Sequence, residues 1–146
     1  MVAAERVLVA ALVVMSASLL LVGIVSHTPL RHVVQVAPVL VVLGLALARR
    51  PGARSAAKAV FVFWLAIMAL IWLFLLGIAR VVTGRFSSVE VALTIVIGVA
   101  AVVGLAAAIR TRCTLRWPAR LAVFVAATAL QCGAMWLSLQ PMFERR

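Results

Sequence analysis

Five apolar runs dominate this chain and restrict its fold more than any other feature. Each is close to the ~20 residues a helix needs to cross the hydrocarbon core of a bilayer. They cover residues 7–25, 29–48, 59–79, 89–109 and 121–139. Lipid offers nothing to satisfy an open backbone, so such a segment spans as a helix that closes its own hydrogen bonds. The expected fold is all-α: an integral membrane protein whose five transmembrane helices form one bundle over residues 1–146. The count falls to four if the second run is only partly inserted, since its first turn carries Arg31 and His32. It also falls to four if the first run is cleaved as a signal peptide, with Arg6 ahead of it and Ser16-Ala17-Ser18 as the cleavage site. Against cleavage, Leu19-Leu20-Leu21-Val22 prolongs the run beyond the ~7–15 residues of a signal core.

Composition supports the same class. The chain is 67% hydrophobic and 12% charged, against roughly 45–50% and about 25% in soluble domains. It lacks the polar residues to coat a globule in water. Fourteen Lys and Arg face three carboxylates, Glu5, Glu90 and Glu144, for a net charge of +11. On a soluble protein that balance points to nucleic acid. Here the charges sit between apolar runs and form no basic domain, so no nucleic-acid partner is expected. The expected partner is the lipid bilayer, together with a membrane protein or a second copy of the chain.

The same charges orient the threading. Arg6, Arg49, Arg50, Arg54, Lys58, Arg110, Arg112, Arg116 and Arg120 fall on one side, nine in all. Arg31, Arg80, Arg85, Arg145 and Arg146, five in all, fall on the other. The richer side is cytoplasmic by the positive-inside rule. The expectation is a multi-pass protein of the plasma membrane, N-terminus in the cytoplasm and C-terminus outside.

Local signals mark the same boundaries. Thr28-Pro29 fits an N-cap followed by proline at the first helical position. Ser87 and Glu90 are spaced as a capping box. Trp117 and Trp136 flank the fifth run as interfacial anchors do. Two connections also resemble each other: Arg50, Arg54 and Lys58 recur as Arg112, Arg116 and Arg120 at an offset of 62. Two readings fit: a duplicated helical hairpin, or two basic loops under the same charge rule.

Polar groups inside an apolar run are costly and therefore the candidates for function. Thr28, Arg31, His32 and Gln35 follow one another at spacings that share a helical face. Pro38 continues that face and favours a kink. Gln131, Thr128 and Cys132 form a polar patch in the fifth run, and Gln131 is placed to pair with Gln35 across a helix interface. Arg31, His32, Gln35 and Gln131 are the candidate ligand-binding residues. The plain alternative is structural: Arg31 and His32 snorkel to the interface, and the glutamines bond between helices.

Small residues recur every fourth position in run four (Ala100, Gly104, Ala108; Thr94, Gly98) and run five (Ala129, Gly133), which suggests close helix packing through both. Trp64, Met68 and Trp72 form a bulky stripe in run three, facing either lipid or core. Cys113 and Cys132 lie too far apart along helical chain for a disulfide, and Cys132 reads as a small packing residue. His27 and His32, spaced five apart with no further ligand type beside them, give no metal site. No catalytic residue and no cofactor are expected: there is no Asp, no carboxylate pair and no phosphate loop. Besides a membrane enzyme or redox component using His32, which has no further ligand type beside it, two functions remain. One is a non-catalytic subunit or accessory protein that packs through helix–helix contacts. The alternative is a small oligomeric transporter or channel with a polar site formed by the second and fifth helices.

Overall fold

The computed structural model describes residues 3–79, 86–111 and 114–143. Among them are five long helices and no strand: α1 (Ala3–Val25), α2 (Pro29–Leu47), α3 (Ala53–Leu75), α4 (Ser88–Arg110) and α5 (Trp117–Ser138). A single 3-10 turn follows at Pro141–Phe143. Each long helix has the length and apolar character needed to cross a membrane. The second run is one unbroken helix of 19 residues, despite Arg31, His32 and an internal Pro38.

Helix ends differ from the apolar runs for local reasons. α3 starts at Ala53, ahead of the apolar run, because Ala53, Ala56 and Ala57 favour helix and bury against the bundle. It stops at Leu75 because Gly77 turns left-handed at φ 73°. There the Ile78 amide donates to Leu73 O at 2.9 Å and the Gly77 amide to Phe74 O at 2.9 Å, the paired bonds of a Schellman motif. The same motif closes α1 and α2, but with His27 (φ 58°) and Arg49 (φ 51°) in the glycine position. Its bonds there are Thr28 N to Gly23 O at 2.8 Å and Arg50 N to Leu45 O at 3.0 Å. The capping box on α4 forms fully: Ser87 N donates to Glu90 Oε2 at 2.7 Å, and Glu90 N to Ser87 Oγ at 3.3 Å. Thr28 precedes α2 with Pro29 at its start, but its side chain caps nothing. Its hydroxyl instead meets Ser26 Oγ at 2.7 Å.

The helices close a ring in the order α1, α4, α3, α5, α2, and α2 also touches α3 across it. Leu12, Met15, Val39, Val60 and Phe61 are wholly buried along its middle. The small-residue stripe of α4 lets the backbones approach: Ala100, Ala101, Gly104 and Ala108 are buried where α4 packs on α1 and α3. The matching stripe of α5 does not pack within the chain. Ala129 and Gly133 are exposed, and nothing lies within 4 Å of the space a Gly133 Cβ would fill. Cys132 is also exposed on α5 and packs against nothing within the chain; Cys113 lies outside the described residues. Trp64 and Met68 face the core, and Trp72 is half-buried. α2 and α3 pack together whereas α4 and α5 barely meet. The two basic connections therefore do not join equivalently packed hairpins.

One end of the ring gathers arginines. Arg54 Nη2 donates to Glu5 Oε1 at 2.5 Å, tying the start of α3 to the start of α1. Arg49, Arg50 and Thr114 line a cleft of about 200 Å³ beside that pair.

Candidate functional site

At the opposite end lies a cavity of about 720 Å³ to which all five helices contribute. Helical spacing puts Arg31, His32 and Gln35 of α2 on its wall, as three- and four-residue steps require. Glu90, Thr94 and Ile97 of α4 face it through the same spacing. Leu19 and Val22 of α1, Met135 of α5, and Trp64, Ile67, Met68 and Ile71 of α3 complete it. Its polar groups belong to the first two turns of α2 and α4 and to the α1–α2 turn. Its apolar wall belongs to α3 and reaches inward to Trp64, about three helical turns from the end of that helix.

The polar wall is ordered by short local bonds. His32 Nδ1 lies 3.1 Å from Thr28 O and 3.3 Å from Thr28 Oγ1. A carbonyl only accepts, so the hydrogen sits on Nδ1. Gly23 makes room for this ring: a Cβ there would stand 2.7 Å from His32 Cβ. Glu90 spends Oε2 on the capping box, where Ser87 Oγ also donates at 2.8 Å. Its Oε1 has no hydrogen-bond partner among the described residues. Arg31 is half-buried and makes no hydrogen bond or ion pair among them. The Trp64 side chain is 2% exposed, and its indole N–H is also unpartnered.

The four sequence candidates separate here. Arg31, His32 and Gln35 line the cavity. Gln131 does not: it is fully buried between α5 and α2, and its Nε2 donates to Gln35 O at 3.1 Å. Gln35 Nε2 in turn donates to Ser138 Oγ at 2.9 Å, and Ser138 Oγ donates to Met135 O at 2.7 Å. Pro38 has no N–H, and the helical donor it withholds is the one Val34 O would take. Gln35 O is the next carbonyl along, and Gln131 adds a donor from α5 to it. Gln131 Oε1 is left buried without a partner.

Glu90, Thr94, Trp64 and Ser138 were not among the candidates. The four-residue step from Glu90 to Thr94 was visible, as were the four- and three-residue steps from Gln131 through Met135 to Ser138. What the residues do not carry is the neighbour each face meets. Among the described residues no cluster of three His, Cys, Asp or Glu side chains is spaced to hold a metal ion.

No protein-family model, no curated protein and no solved structure matches the chain.

Proposed function

We propose that this chain is a multi-pass protein of the plasma membrane that binds an amphipathic small molecule in the five-helix cavity, and that it acts by binding and not by catalysis. The observation that carries the reading is the composition of the cavity wall. One half offers Arg31, His32, Gln35, Glu90 and Thr94, and the other is apolar down to Trp64. Such a wall suits a molecule with a polar head and a hydrocarbon body.

Insertion into lipid is supported by the outer surface. Ile24, Val99 and Ile109 are 62%, 58% and 62% exposed, within an apolar surface far larger than a soluble monomer tolerates. The arginine-rich end carries the excess charge expected of the cytoplasmic side, which directs the cavity outward, puts the N-terminus inside and the C-terminus outside. A binding role is favoured over a pore because Leu12, Met15, Val39 and Phe61 fill the bundle between the two ends. Among the described residues the cavity holds one carboxylate, already engaged in a helix cap, and no carboxylate is bonded to the His32 ring. The accessory reading keeps one observation of its own: α5 leaves most of its surface uncovered, a face for a partner helix or a second copy.

Trp64 provides the test. Trp72, Trp117 and Trp136 are replaced by Phe, and the purified protein is titrated with amphiphiles carrying brominated chains. A bound chain reaches Trp64 and quenches it saturably, whereas bulk detergent or lipid does not reach so buried an indole. A variant keeping only Trp136, which is 67% exposed, is quenched in proportion to bulk concentration. If Trp64 shows no saturable quenching under conditions that quench Trp136, the reading fails.

A further inference from the structure

The cavity presents two opposite charges that do not neutralise each other. Arg31 on α2 and Glu90 on α4 both line it. α2 and α4 are not direct neighbours in the ring, and no ion pair joins the two side chains. The ion pair among the described residues is the Arg54–Glu5 bridge at the far end. His32 stands beside Arg31 on α2 and lines the same cavity as Glu90, so the two charges share one space. Each also has unused capacity. Among the described residues the Arg31 guanidinium makes no bond, and Glu90 keeps Oε1 free while Oε2 serves the cap. Unpaired charges in a half-open, largely apolar site keep only part of their hydration, which favours a partner of opposite charge. A group bearing a single charge would satisfy one of them and repel the other.

We propose that the cavity selects a zwitterionic head group, its anionic part taken by Arg31 and its cationic part by Glu90 Oε1. This rests on the amphiphile-binding reading above. The chemical class is an anionic phosphate or carboxylate and an ammonium on one head, attached to a hydrocarbon chain that lies along the α3 wall toward Trp64. His32 and Gln35 stand between the charged pair and the apolar floor. Gln35 has a second amide N–H to give an acceptor atom of such a molecule, and His32, its Nδ1 hydrogen held by Thr28 O, presents Nε2 as an acceptor.

The experiment uses the Trp64-only protein in a neutral, sugar-headed detergent. Four brominated amphiphiles of one chain length are compared: a phosphocholine, a phosphate monoester, a quaternary ammonium and a maltoside. The phosphocholine binds about tenfold more tightly than the others, the worth of one charge-assisted hydrogen bond. Glu90→Gln keeps a capping-box residue in place, so α4 stays formed, and it shifts the preference toward the anionic head. Arg31→Gln removes a side chain that bonds to nothing in the bundle and shifts the preference toward the cationic head. Chainless glycerophosphocholine as competitor separates the two sources of this chemistry. Displacement of the probe assigns the site to a soluble zwitterion as well; no displacement assigns it to a lipid. Equal saturable binding of all four heads overturns the zwitterion proposal while leaving the amphiphile reading standing. So does unchanged preference in both variants. Absence of saturable quenching by every head removes both.

Discussion

The contact between α3 and α4 makes a sharp prediction at Gly104. A Cβ built there would lie 2.6 Å from both Cε1 and Cε2 of Phe61 and overlap Cζ outright. Phe61 has no exposed surface, so the ring has no open side into which to move, and relief requires α3 to back away from α4. Overpacking of this kind costs about 1–3 kcal/mol. Against it stands the helix propensity of Ala over Gly, roughly 1 kcal/mol. Gly104→Ala should therefore lower stability by up to about 2 kcal/mol on balance. Gly98 lies on the same helix with nothing within 4 Å of its Cβ position. Gly98→Ala keeps the propensity gain without the clash, so it should be neutral or stabilising. The two substitutions are chemically identical and should differ in sign. Reversible unfolding in mixed micelles, by titrating SDS and following tryptophan fluorescence, measures both. A Gly104→Ala/Phe61→Leu cycle should show favourable coupling of about 1 kcal/mol or more, since the shorter side chain makes room. Equal behaviour of the two alanine variants, or a cycle with no coupling, would refute the packing of Phe61 on Gly104.

Two other predictions follow from unusual backbone and polar features. Gln131→Leu removes one interhelical hydrogen bond, worth about 0.6 kcal/mol in a bilayer, and also removes a buried carbonyl oxygen without a partner, costing about 1–3 kcal/mol. The same SDS titration should find the variant as stable as the parent or more so; a loss above about 2 kcal/mol would show that Oε1 is satisfied after all. Arg49→Gly relieves a left-handed side-chain residue of about 1–2 kcal/mol of strain, offset by roughly 0.5–1 kcal/mol of chain entropy. Its unfolding midpoint should rise or hold, and a clear fall would mean that the guanidinium matters more than the turn.

The helices were legible because span length and uninterrupted apolar character are local properties, and each run contains its own evidence. Their ends were less so. The start of α3 lies among Arg54, Ser55 and Lys58, where a hydropathy window sees polar chain although the alanines there favour helix. Half of the cavity was legible by the same logic, since Arg31, His32 and Gln35 share a face whatever surrounds α2. The other half was hidden by ring order. Glu90 reads locally as a cap, and it is one; only the placing of α4 and α2 around a common space gives its second oxygen something to face. The small-residue stripes make the point most directly. Ala100–Gly104–Ala108 and Ala129–Gly133 are one pattern, yet the first is buried and the second bare. Spacing says that a backbone can come close, not which one does.

The placement of α5 joins the two halves of the structure. Only Ala127, Gln131 and Ser138 are buried along it, and two of those three are polar. Between helices in lipid there is no hydrophobic gain from leaving the solvent, so association rests on packing and interhelical hydrogen bonds. For α5 those bonds converge on one residue of α2. Gln131 reaches the Gln35 carbonyl and Ser138 takes the Gln35 amide, while Gln35 itself lines the cavity. A ligand that accepts a hydrogen bond from the Gln35 amide takes it from Met135 Sδ, 3.5 Å away, or from Ser138 Oγ, 2.9 Å away, and both belong to α5. A substitution that loosens α5 frees that amide for the ligand. Binding and the docking of the outermost helix are then linked through a single side chain, and by reciprocity each must shift the other by the same free energy.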